Sequence, residues 1–102
     1  TIQATTGVEP GDLALRFRAP WPNPSYGLVR FGIELARPTV VTVTVLDVAG
    51  REVARPIAGE KFEAGKVTRE WRPASLAPGG YTVQAKVGEL KLTRRLVWLG
   101  GR

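Results

Sequence analysis

Val43-Thr-Val-Leu-Asp47-Val-Ala-Gly50-Arg51-Glu-Val53-Ala-Arg-Pro-Ile57 decides how the chain folds. Its first half alternates apolar and polar residues with a period of two, and β-branched side chains are dense, which suits a pleated surface and disfavours helix. The alternation stops at Asp47-Val48-Ala49-Gly50 and resumes at Val53. Asp47 can accept backbone N–H bonds two or three residues on, and Gly50 can take φ > 0 without steric cost. The stretch therefore reads as strand, tight turn, strand. Val41, Val43 and Val45 form the inner row, and Val53 and Ile57 are expected to continue inward. Pro56 marks the second strand as short or at a sheet edge.

Working outward, the same pattern recurs on both sides. Leu13, Leu15 and Phe17 alternate with Arg16 and Arg18. Val29, Phe31, Ile33 and Leu35 alternate with Arg30 and Glu34. Later, Val67, Arg69 and Trp71 share a face, and Tyr81, Val83, Ala85 and Val87 share another. Phe31, Val43, Val45, Trp71 and Tyr81 are the expected core anchors. Between these runs lie Ala58–Gly65, expected to be a loop anchored by Phe62, and Arg72–Gly80, a connection between sheets. Leu76 points inward there, and Gly79 and Gly80 supply its turn. The last run is irregular: Leu90, Leu92, Leu96 and Trp98 have one parity, Val97 and Leu99 the other. Either a bulge near Arg94-Arg95 reconciles them, or Val97 and Leu99 face a partner.

Ala19-Pro20-Trp21-Pro22-Asn23-Pro24 cannot be ladder-paired strand interior, because its three prolines lack the N–H donor. It reads as a stiff, extended crossover. Trp21 is either a plug over the end of the core or a platform for a stacked ligand. About seven short strands at roughly 10-residue spacing, with no helical stretch, predict an all-β, Ig-like antiparallel β-sandwich. The expected division is a linker or arm over 1–12, the sandwich over 13–99 and a loose tail over 100–102.

Composition narrows function by exclusion. The 102 residues carry a net charge of +6 but contain no histidine and no cysteine. Disulfides and thiol chemistry are thereby removed, with the commonest general base and transition-metal ligand. Ser25 and Ser75 have no histidine to activate them. Asp47, Glu60 and Glu63 offer the oxygen ligands that Ca²⁺ takes, but no D-x-D-x-D spacing supports a site. No catalytic residue, metal site or cofactor is expected. The cations are scattered over strands without an interleaved aromatic groove, so no nucleic-acid partner is expected. No run of about 18 apolar residues is present. Methionine is absent and the chain begins at Thr1, so it is expected to be a processed chain, an excised domain or the ordered part of something longer, with any targeting segment upstream.

From about residue 17 onward the chain resembles the C-terminal Ig-like modules of exported bacterial proteins. These include the type IX secretion C-terminal sorting domain and the related Ig-like domain of the flagellar hook-capping protein. The matching residues run in order. Pro22-Asn23-Pro24 with Gly27 comes first, then Val29-Arg30-Phe31 and Val43–Val53. Ala64-Gly65 ahead of Trp71, Leu76-Ala77-Pro78-Gly79-Gly80-Tyr81 and Thr93-Arg94-Arg95-Leu96-Val97 follow. Arg72–Leu76 stands in place of the longer insert of the flagellar variant, which brings the sorting type closer. Gly80 departs from the small β-branched residue usual before the tyrosine. The resemblance implies a non-enzymatic module of an exported protein, located in the periplasm, at the outer-membrane surface or outside the cell. Its expected partner is secretion machinery or a larger, membrane-associated envelope complex. Trp21, Arg94, Arg95, Val97 and Leu99 are the expected partner surface, and Asp47, Gly50 and Arg51 keep a turn-forming role.

Overall fold

The Val/Thr alternation of residues 39–46 forms one of the two interior strands of the larger of two sheets. The computed structural model describes residues 16–101. In chain order the strands are β1 (Arg16–Phe17), β2 (Val29–Leu35), β3 (Thr39–Leu46), β4 (Glu52–Phe62), β5 (Gly65–Trp71), β6 (Gly79–Val87) and β7 (Leu90–Trp98). One sheet has the order β1-β2-β5 and the other β4-β3-β6-β7, all pairs antiparallel. The fold is the Ig-like β-sandwich that the strand spacing predicts. Leu13, Leu15 and the segment 1–12 lie outside the described residues, as does Arg102.

Each sheet turns its apolar row inward. Phe17, Val29, Phe31, Ile33 and Leu35 from the three-stranded sheet meet Val41, Val43, Val45, Ile57, Phe62, Val83, Ala85, Val87, Leu96 and Trp98 from the other. Removing these rows from water is the main drive to fold. Trp71 is only half-buried, stacked on Phe31 with ring centroids 6.1 Å apart, and Tyr81 is likewise half-buried. The largest fully buried side chain is Trp98, whose indole Nε1–H donates to Leu76 O at 3.0 Å.

The β3–β4 turn is tied by its own side chain. Asp47 Oδ1 accepts from the N–H groups of Ala49 and Arg51, both at 2.9 Å. Asp47 Oδ2 takes the Arg51 guanidinium at 3.0 Å, and Gly50 N–H donates to Asp47 O at 2.9 Å. Gly50 sits at φ 84°, where a Cβ would be strained.

Several expectations are corrected. Val53 does not continue inward: it is 38% exposed, while Ala54 and Ile57 take the inner positions. The cause is three bulges in β4, each placing one extra residue against β3, so parity shifts along the strand. Residues 58–62, expected in a loop, continue β4 to Phe62. Pro56 is accommodated because β4 is an edge strand, though at 11 residues not a short one. No bulge interrupts β7, whose register with β6 is unbroken from Leu90 to Trp98. Gly79 and Gly80 do not form a turn; they pair with Trp98 and Val97 as the first rungs of β6.

The proline-rich crossover joins the two sheets. At its start Trp21 exchanges both backbone hydrogen bonds with Arg30 of β2. At its end Ser25 lies parallel to β7: Ser25 N–H donates to Val97 O and Leu99 N–H to Ser25 O, both at 2.8 Å. Gly27 N–H donates to Gly100 O at 2.8 Å. The expected loose tail is therefore held as far as Gly101, which lies against Tyr26.

Candidate docking surface

The five side chains expected to form one partner surface fall in three places. Trp21 is not a plug over the core. It lies on the outer face of the three-stranded sheet, over Gly32, with the Arg18 guanidinium 4.1 Å from its ring centroid. A Cβ at Gly32 would stand 3.1 Å from both Trp21 Cζ3 and Arg18 Cδ, so any other residue there would press the pair outward by a few tenths of an ångström. A shallow groove of about 350 Å³ runs from Trp21 past Arg16, Glu34, Lys66 and Thr68.

Arg94 points toward the seam between β1 and β7. Its guanidinium lies 6.0 Å from the Phe17 ring centroid and donates to Thr93 O at 2.8 Å. Arg95, Val97 and Leu99 alternate with Arg94, Leu96 and Trp98, and so share the outward side of the closing strand. Val97 is 40% and Leu99 53% exposed.

Tyr26, 69% exposed, was not expected there. Ser25 pairs with Trp98 on the buried side, so by alternation Tyr26 falls on the outward side with Val97 and Leu99. The signal in the sequence is only a tyrosine after a proline-rich crossover. Its meeting with a strand more than seventy residues away is not written locally.

The surface is held stiffly. Asn23 Nδ2 donates to Arg95 O at 3.2 Å, and Asn23 Oδ1 accepts from Val97 N–H at 2.9 Å. The Ser25 hydroxyl donates to Pro22 O and is fully buried. This stretch of β7 therefore has its outer backbone groups occupied, and what it presents to solvent is side chains.

Two ion pairs elsewhere have structural roles. Arg69 pairs bidentately with Glu60 and lies 4.7 Å from the Phe62 ring centroid, joining β5 to β4 across the sandwich. The Arg69 guanidinium holds the Glu60 carboxyl below its ordinary value. The Arg51 and Ala49 backbone N–H groups, Arg51 first, do the same for Asp47, helped by the Arg51 side chain. Among the described residues, no group of three or more His, Cys, Asp or Glu side chains could hold a metal ion. Among the same residues, no helix is long and apolar enough to cross a membrane.

Comparison with curated proteins found no match, and neither did comparison with solved structures. The family model described as the secretion system C-terminal sorting domain matches residues 19–98. That span opens at the crossover and closes with the last residue of β7, so it takes in both halves of the Asn23–Val97 junction. The chain thus belongs to the type IX secretion C-terminal sorting domain family.

Proposed function

We propose that this chain is the non-enzymatic sorting module of an exported protein, and that it docks on the secretion machinery through Tyr26, Arg95, Val97 and Leu99. Family membership supplies the export role. The observation that carries the docking site is the outward apolar group at the closing strand. Val97, Leu99 and Tyr26 stay in water although the strand that bears two of them is braced on both sides. Apolar side chains held rigidly in solvent at one end of a sheet are what a partner can bury.

A structural subunit docking through its sheet edges is the other reading of such a module. The upper edge of β7 is already occupied by residues 23–27, and β4 is blunted by Pro56 and three bulges. Both features favour docking by a face.

The test is export of a reporter carrying this chain at its C-terminus, in a bacterium with type IX secretion. The Val97→Asp/Leu99→Asp variant should accumulate in the periplasm while retaining its β-sheet circular dichroism. Undiminished release of that variant would refute the proposed surface.

A further inference from the structure

The two outer faces of the sandwich treat their charges differently. On the three-stranded sheet, opposite charges alternate in register. Arg16 and Lys66 flank Glu34, and Arg30 pairs with Glu70 at 3.2 Å. On the four-stranded sheet, β3, β6 and β7 contain no aspartate or glutamate at all.

Their outward residues stack in register across the face. Thr42, Lys86 and Lys91 form one row, Thr44, Gln84 and Thr93 the next, and Leu46, Thr82 and Arg95 the third. Lys86 and Lys91 are direct cross-strand partners, an arrangement that disfavours the sheet. Neither lysine, nor Arg95, makes an ion pair among the described residues. Glu52, at the corner of the face, is taken by Arg55 at 2.9 Å.

We infer that this face binds an acidic protein surface. Lys86 and Lys91 at one end and Arg95 at the other, roughly 13 Å along the strand at about 3.3 Å per residue, receive its carboxylates. The hydroxyl and amide groups of Thr82, Gln84 and Thr93 between them supply hydrogen bonds. The inference rests on the docking reading above, because Arg95 belongs to both surfaces and Val97 continues the same side of β7. It adds the chemistry of the partner. A protein is favoured over an anionic membrane because the middle row, Thr44, Gln84 and Thr93, offers hydrogen-bonding groups and no apolar side chain to enter lipid. Charge complementarity offsets the lysine pair only when that partner is bound.

Two measurements test it on the full chain. First, amide shifts are mapped by NMR with a short poly-glutamate peptide, and separately with vesicles of roughly one-third phosphatidylglycerol. Peptide shifts should centre on Lys86, Lys91 and Arg95. Affinity should fall about tenfold or more between about 0.05 M and about 0.5 M salt, and should be lost in Lys86→Glu/Lys91→Glu. Shifts centred on Arg16, Arg18 and Lys66, or vesicle binding with no peptide binding, overturn the inference.

Second, reporter export is compared for Lys86→Glu/Lys91→Glu, Lys86→Gln/Lys91→Gln and the opposite-face control Lys66→Glu. Export should fall at least tenfold in the first, less in the second, and stay unchanged in the third. Normal export of the first variant with blocked export of Val97→Asp/Leu99→Asp overturns the acidic partner and leaves the docking reading intact. Normal export of both overturns the two together.

Discussion

The backbone N–H of Val97 donates to Asn23 Oδ1 at 2.9 Å, across 74 residues of chain. This bond fastens the crossover to the closing strand, and with Asn23 Nδ2 on Arg95 O it makes one side chain serve as a strand partner. Asn23→Ala should cost about 1 kcal/mol in urea unfolding, the scale of one net hydrogen bond with some unmet need left behind. Amide exchange at Val97 should accelerate selectively. Asn23→Asp keeps the acceptor and should preserve most of the Val97 protection. Unchanged exchange at Val97 in Asn23→Ala would show the bond to be dispensable.

Gly50 at φ 84° closes the β3–β4 turn. Gly50→Val puts a β-branched side chain in the left-handed region and should lower stability by roughly 1–3 kcal/mol. Gly50→Asn should be much milder, since asparagine tolerates that region. Denaturant midpoints for the two variants check this; equal midpoints would contradict it.

Trp98 fills the core beside the crossover and gives its indole hydrogen to Leu76 O. Trp98→Phe removes volume and leaves that carbonyl without its donor. Together these should cost about 2–4 kcal/mol, seen as a lower midpoint at unchanged slope. Trp71→Phe, at a half-buried position, should cost less.

Gly32→Val places side-chain atoms where Trp21 and Arg18 lie. The indole must then lift off the sheet, at a cost of roughly 1–3 kcal/mol. The upfield ring-current shift of the Arg18 side-chain protons should be lost. Retention of that shift would mean that Trp21 keeps its place despite the added Cβ.

Asp47 and Glu60 have folded-state pKa values below their ordinary values of 3.8 and 4.5. Their stabilising contribution is therefore full above those values and is lost as pH falls through the lowered folded values. The melting temperature should be level near neutrality and drop below about pH 4. Asp47→Asn should flatten part of that drop while lowering the plateau, because its amide loses the pairing with Arg51. An acid limb of unchanged size in Asp47→Asn and Glu60→Gln would assign it to other carboxylates.

Strand alternation was the most legible feature of this chain. Val29–Leu35, Val41–Val45 and Tyr81–Val87 each declare an inner row within a few residues, since neighbouring side chains on a strand point to opposite faces. The Asp47–Gly50 turn is equally local, because the side chain that ties it lies within four residues of the backbone it binds. β4 departs from its local alternation for the complementary reason. A bulge adds a residue relative to a partner strand, so nothing in Glu52–Phe62 alone says that Val53 turns outward. The proposed docking residues were half legible: Arg95, Val97 and Leu99 follow from their parity, whereas Tyr26 joins them only through Ser25 and Trp98.

The sequence by itself determined an all-β sandwich, its inner rows, its main turn and a composition poor in catalytic and metal-binding groups. These depend on period, on special backbone angles and on which side chains exist. Tertiary structure alone decided that Trp21 covers a sheet face, that Asn23 bonds β7, and that carboxylates stand among the cations of one outer face while β3, β6 and β7 bring none to the other. Those outcomes depend on which strands become neighbours, and cross-strand register places residues together that are far apart along the chain.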